Sequence, residues 1–100
     1  MKIGKLYEIK EFFWFLYPSK DIAVTAAPAP RYDAAAAAAA ADRAAYLSNR
    51  FKCKVSYIKP SSIFCLLEKD EKLLKILSTN GELGWIIDDW CKDDIEEVNQ

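Results

Sequence analysis

Six consecutive large apolar residues, Phe12-Phe13-Trp14-Phe15-Leu16-Tyr17, halted by Pro18 and Ser19, constrain this chain more than any other feature. The run is far shorter than the ~20 residues a transmembrane helix needs, and its aromatic content suits a strand. In an extended strand Phe13, Phe15 and Tyr17 face one way and Phe12, Trp14 and Leu16 the other. Large aromatics bury about 150–250 Å² each, so neither face can be left in water. The strand must be covered twice, and the 20–48 segment is expected to pack over one face as a lid.

That segment contains eight consecutive alanines, Ala34 to Ala41. Asp33 can cap a helix there, Pro28 and Pro30 block an earlier start, and alanine has the highest helix propensity. A poly-alanine helix nevertheless offers only methyl groups and shows no amphipathic face. Its flanks are rich in Leu, Ile, Lys and aromatics. The run reads as alanine standing in for unidentified side chains, or as an engineered replacement, in preference to a genuine poly-alanine helix; a stand-in would hide any functional residue it carried. Residues 19–50 are expected to form a helical or poorly determined insertion within a single domain spanning 1–100.

The remainder is punctuated like a β protein. Residues 2–17 read as two strands, with Gly4 as a bend. Lys52 to Ile58 alternates, with Cys53, Val55 and Tyr57 on one face. Pro60-Ser61-Ser62 breaks it, Ile63 to Glu68 is a further apolar strand, and Lys69-Asp70-Glu71 is a polar turn. Leu73 to Thr79 and Leu83 to Ile87 flank Asn80-Gly81, a strong hairpin signal because both residues accept the positive φ of a type I′ turn. Asp88-Asp89-Trp90-Cys91 reads as a short helical turn and Ile95 to Val98 as a last strand. Gly84, lacking a Cβ, permits strong bending or close packing beside Trp85, which closing a small sheet demands.

The segment Gly81-Glu82-Leu83-Gly84-Trp85-Ile86-Ile87, followed by Asp94-Ile95-Glu96-Glu97-Val98, resembles the end of Src-homology-3-like barrels. There a Gly-Trp-aliphatic strand leads through one 3₁₀ turn into the closing strand. Ile3-Gly4-Lys5-Leu6-Tyr7-Glu8-Ile9 is similar to the first strand of bacterial and phage versions, and the whole resembles small uncharacterised proteins of marine cyanobacterial viruses. The likeness covers residues 1–17 and 52–98. It implies a mainly β fold, a five- to six-stranded Src-homology-3-like barrel with a helix inserted between the N-terminal strands and the rest. Proline-binding members of the family use an aromatic groove; the adjacent Trp pair and the Pro in the short helical turn that accompany it are absent here.

Composition narrows the function. There is no histidine, which removes His-based acid–base catalysis, the usual triads and most zinc sites. Ser61 and Ser62 have no candidate base, so no catalytic residue is expected and the chain reads as a non-enzyme without a cofactor. Asp88, Asp89, Asp93 and Asp94 fit no calcium loop and lack its glycine, so they read as a solvated turn and no metal is expected. Cys53, Cys65 and Cys91 form no C-x-x-C pair, and with no signal peptide in view they read as reduced thiols of a cytoplasmic protein, in the host cytoplasm if it is a phage protein.

Two surfaces remain. Tyr7, Trp14, Tyr57 and Trp90 are the aromatics expected to bind a protein partner or a second copy. Arg43, Arg50, Lys52, Lys54 and Lys59 lie in a stretch without acidic residues and interleave with Tyr46, Phe51 and Tyr57, the composition of a nucleic-acid face. The tail from Gly81 onward carries seven acidic residues and one Lys. The two patches are expected to face each other within the fold or across a dimer. With a net charge of −1, nucleic acid is the second choice behind a non-catalytic protein-interaction module.

Overall fold

A computed structural model describes residues 1–26, 31–88 and 92–98. Of these, 41% lie in strands and 29% in helices. Chain order is β1 (Leu6–Ile9), β2 (Phe12–Leu16), α1 (Lys20–Ala26), β3 (Tyr32–Asp33), α2 (Ala37–Phe51), β4 (Ser56–Ile58), β5 (Ile63–Asp70), β6 (Leu73–Ser78), β7 (Leu83–Ile87) and β8 (Ile95–Glu97). The mainly β expectation holds, but the strands number eight among the described residues and form two sheets. One sheet runs β7-β6-β5-β1-β8 and the other β3-β2-β4. Every pairing is antiparallel.

The aromatic strand behaves as its alternation requires. Trp14 and Leu16 face a core shared with Ile9, Phe64, Leu66 and Ile76 of the larger sheet. Phe15 and Tyr17 face a second core made with Ala23 and Ala26 of α1, Ala44 and Leu47 of α2, and Trp85. The two helices are thus the lid. The poly-alanine segment docks better than its composition suggests, because Ala40, Ala44 and Leu47 recur at helical spacing and all three are buried. Where two elements approach closely a methyl group is the side chain that fits. Asp33 caps this region as expected, accepting the Ala35 N–H at 3.1 Å, but it starts a 3₁₀ turn over Ala34–Ala36 that leads into α2.

Two local expectations change. The strand expected over 52–58 shortens to Ser56–Ile58, since α2 continues to Phe51 and ends with Lys52 in the left-handed region at φ 54°. Ser48 Oγ accepts the Val55 N–H at 2.9 Å and holds the following residues against the helix, out of a sheet. The Asn80-Gly81 hairpin forms, but not as a type I′ turn. Only Gly81 has positive φ, at 86°, and the turn closes through the Gly81 N–H to Ser78 O at 2.9 Å and the Ser78 N–H to Glu82 O at 2.8 Å. That is a three-residue loop with a glycine bulge, the next commonest way to join such strands.

The two sheets are connected at both ends of β2. At its start, Lys10 and Glu11 turn the chain from β1 into β2. At its end, Tyr17 and Trp85 exchange backbone hydrogen bonds of 3.0 and 2.8 Å. Gly84 makes this approach possible: a Cβ there would lie 2.7 Å from Leu16 Cγ and 2.9 Å from the Tyr17 carbonyl oxygen. The contact is a single bridge rather than a ladder.

Candidate functional site

The acidic cluster at 88–94 is not uniformly a solvated turn. Asp94 is buried, with 4% of its surface exposed. Its Oδ1 accepts the Glu11 N–H at 2.8 Å, and its Oδ2 accepts the Phe12 N–H at 3.0 Å and the Trp14 Nε1–H at 2.9 Å. The carboxylate therefore fastens the bend between β1 and β2. Asp93 pairs with Arg31, Nη2 to Oδ1 at 2.9 Å, and that guanidinium lies 5.2 Å from the Phe12 ring and 5.3 Å from the Trp14 ring. The Arg31 hydrogen bond and charge hold the Asp93 carboxyl below its ordinary range. Asp89 lies outside the described residues. Among the described residues no three His, Cys, Asp or Glu side chains come together in a way that could hold a metal ion.

Of the aromatics expected at a protein interface, Tyr7 and Trp14 are core residues, exposed to 4% and 7%. This corrects their reading as contact residues: Trp14 is buried because its indole N–H finds Asp94, and Tyr7 because its ring packs on Phe64 at 5.9 Å. Trp90 lies outside the described residues. Tyr57 is half-buried, its ring edge-on to Phe13 at 5.6 Å.

Among the described residues none of the five basic side chains forms an ion pair with the acidic tail. Glu96 pairs with Lys10, raising the lysine and lowering the carboxyl, and Asp70 pairs with Lys20 at 2.7 Å. Arg43, Arg50, Lys52, Lys54 and Lys59 take part in none of the ion pairs among the described residues. Arg43 lies 5.1 Å from the ring of Tyr46, which is 52% exposed, and Arg50 lies 5.1 Å from Phe51.

Lys54, Tyr57 and Lys59, drawn from two different expected surfaces, come together along β4. That strand is the last in the order β3-β2-β4, so among the described residues one of its edges has no neighbouring strand. Beside it lie two adjoining clefts of about 370 and 330 Å³. Ser56 and Glu82 line both. Leu16, Pro18, Lys54, Gly81 and Leu83 complete the first, and Tyr57, Ile58, Lys59 and Asn80 line the second. The far wall is the β6–β7 turn, and no backbone hydrogen bond joins that turn to β4. The cleft was not legible from spacing, because its walls lie more than twenty positions apart in sequence.

Leu83, 55% exposed, continues the cleft onto the outer face of the larger sheet. Strand register sets Leu6 opposite Cys65, Cys65 opposite Leu77, and Leu77 opposite Leu83, making one apolar row across four strands. Leu77 is 39% exposed and nearby Leu67, beside an irregularity in β5, is 40% exposed.

Two buried polar atoms, Tyr17 Oη and Arg43 Nε, have no hydrogen-bond partner. Burial pushes the Tyr17 phenol up to about 12 from its ordinary 10, with the Arg43 charge acting in the opposite direction. Below pH 10 the phenol is neutral whether folded or not. Between pH 10 and 12 only the unfolded chain ionises, so stability is lost as pH rises through that window. The shift corresponds to about 3 kcal/mol. Urea midpoints measured from pH 8 to 12 should fall steeply above pH 10, and less steeply in Tyr17→Phe. At pH 8 the same variant should be at least as stable as the parent, since the lost hydroxyl makes no hydrogen bond. A Tyr17→Phe chain markedly weaker at pH 8 would show that the hydroxyl has a partner.

No helix among the described residues is long and apolar enough to cross a membrane. No protein-family model, curated protein or solved structure gives a significant match to this chain. Its class is thereby set by its own architecture, a mainly β protein of two sheets with a helical cover.

Proposed function

We propose that this chain is a small non-catalytic module that binds protein, with the cleft along β4 as its contact surface. The observation that carries this reading is the unpaired edge of β4 opening onto a cleft walled by Leu83. Free backbone donors and acceptors beside apolar surface suit another polypeptide. The row from half-buried Cys65 to exposed Leu77 and Leu83 gives a partner, or a second copy, more apolar area to cover. Kinship with Src-homology-3-like barrels belongs to the same proposal. Its support is the Gly84-Trp85 strand lying against the end of the aromatic strand, with β8 returning beside β1.

A second reading is a nucleic-acid-binding barrel, favoured by the unpaired Arg43, Arg50 and Lys52 beside exposed Tyr46. Affinity capture from cell lysate, with and without nuclease, separates the two. Protein retained after nuclease and lost in Leu83→Asp supports the module. Capture that requires nucleic acid, weakens steeply with salt and disappears when Arg43, Arg50 and Lys52 become Glu replaces it with the second reading.

A further inference from the structure

We infer that the β4 cleft takes an extended peptide carrying a carboxylate at each end, added as a new strand to the free edge of Ser56–Ile58. The inference rests on the protein-binding reading and specifies the partner's chemistry. Three features lead to it.

The first is the contrast between two short end strands. Among the described residues β8 also has a free edge, but it carries charged side chains within the strand, Glu96 paired with Lys10 and exposed Glu97, a common guard against strand addition. β4 carries no charge within the strand, where Ser56 and Tyr57 are half-buried and Ile58 is buried; its charges, Lys54 and Lys59, lie just beyond its two ends. The second is the open space between β4 and the β6–β7 turn, which no backbone hydrogen bond crosses. The peptide backbone would supply those bonds, with its alternate side chains directed toward Leu16 and Leu83.

The third is charge. Lys54 and Lys59 bracket the strand, both are exposed, and neither has an ion-pair partner. Glu82 is the one carboxylate lining the cleft. The two lysines flank Ser56–Ile58 on either side, so a carboxylate near each end of a peptide paired along that strand lies toward an ammonium group. A basic peptide would meet like charge at both ends.

The test uses the full chain and a fluorescein-labelled peptide, Asp-Val-Thr-Val-Thr-Asp, followed by anisotropy. Binding should weaken at least about tenfold when both terminal Asp are replaced by Lys. It should weaken as much when alternate backbone nitrogens are methylated, which blocks strand addition but keeps the charges. The Lys54→Glu, Lys59→Glu double variant, checked for folding by circular dichroism, should reverse the preference toward the Lys peptide. Equal binding of the Asp and Lys peptides, or full binding of the methylated one, overturns the inference. So does a single-stranded oligothymidylate that displaces the peptide and binds more tightly. If the peptide fails while Leu83→Asp still abolishes protein capture, the inference falls and the protein-binding reading stands. If Leu83→Asp leaves capture intact, that reading falls as well.

Discussion

Gly84→Ala should destabilise the chain by about 3 kcal/mol or more, the largest effect expected from a single added methyl group. The new Cβ would meet Leu16 Cγ at 2.7 Å and the Tyr17 carbonyl oxygen at 2.9 Å. The leucine could rotate away at some cost, but the carbonyl belongs to the backbone that exchanges hydrogen bonds with Trp85. Relief therefore means moving β2 off β7 and separating the two sheets where they touch. Gly81→Ala is the control: nothing lies within 4 Å of a Cβ there. Its cost is only that of holding a non-glycine residue at φ 86°, about 1–2 kcal/mol. Urea unfolding of both variants gives the comparison. If Gly84→Ala costs no more than Gly81→Ala, the junction does not depend on the missing Cβ.

Asp94→Ala should cost about 3–5 kcal/mol, because one carboxylate satisfies three donors and hydrogen bonds to a charged group are worth about 1.5–3 kcal/mol each before compensation by water. The Glu11 and Phe12 N–H groups are partly buried and can recover some of the loss from solvent. The Trp14 indole N–H is buried and cannot. Asp94→Asn keeps one accepting oxygen and turns an NH₂ toward the remaining donors, so it should lie between parent and alanine variant. Combining either change with Trp14→Phe isolates the indole contact in a double-mutant cycle. Parent-like stability in Asp94→Ala would mean that the bend between β1 and β2 holds without its carboxylate.

Sequence reasoning captured what local pattern controls. The alternation of Phe12 to Tyr17, the need for a helical cover over Phe15 and Tyr17, the break at Asn80-Gly81 and the special status of Gly84 all follow from side-chain direction or a missing Cβ. It missed what distant partners control. Asp94 looks like its acidic neighbours until Trp14, eighty positions away, supplies an indole N–H. The buried Trp was itself a usable signal, since such an N–H needs an acceptor. Aromatic identity does not distinguish a core from an interface, so nothing local marks Tyr7 and Trp14 as the buried residues they are. Lys54, Tyr57 and Lys59 were recognised singly, under different readings, and only the fold brings them along one edge.

The tie between Asp94 and the start of the aromatic strand also bears on how the chain is made. On a ribosome the acceptor for Trp14 is synthesised eighty positions after the indole that needs it. At about 5–20 residues per second, that interval is roughly 4–16 s. Throughout it β1 also lacks β5 and β8, both of which come later in the chain. Throughout that interval the nascent chain carries six consecutive large apolar residues without the carboxylate that later fixes the start of their strand, so their burial waits on a residue made eighty positions afterwards.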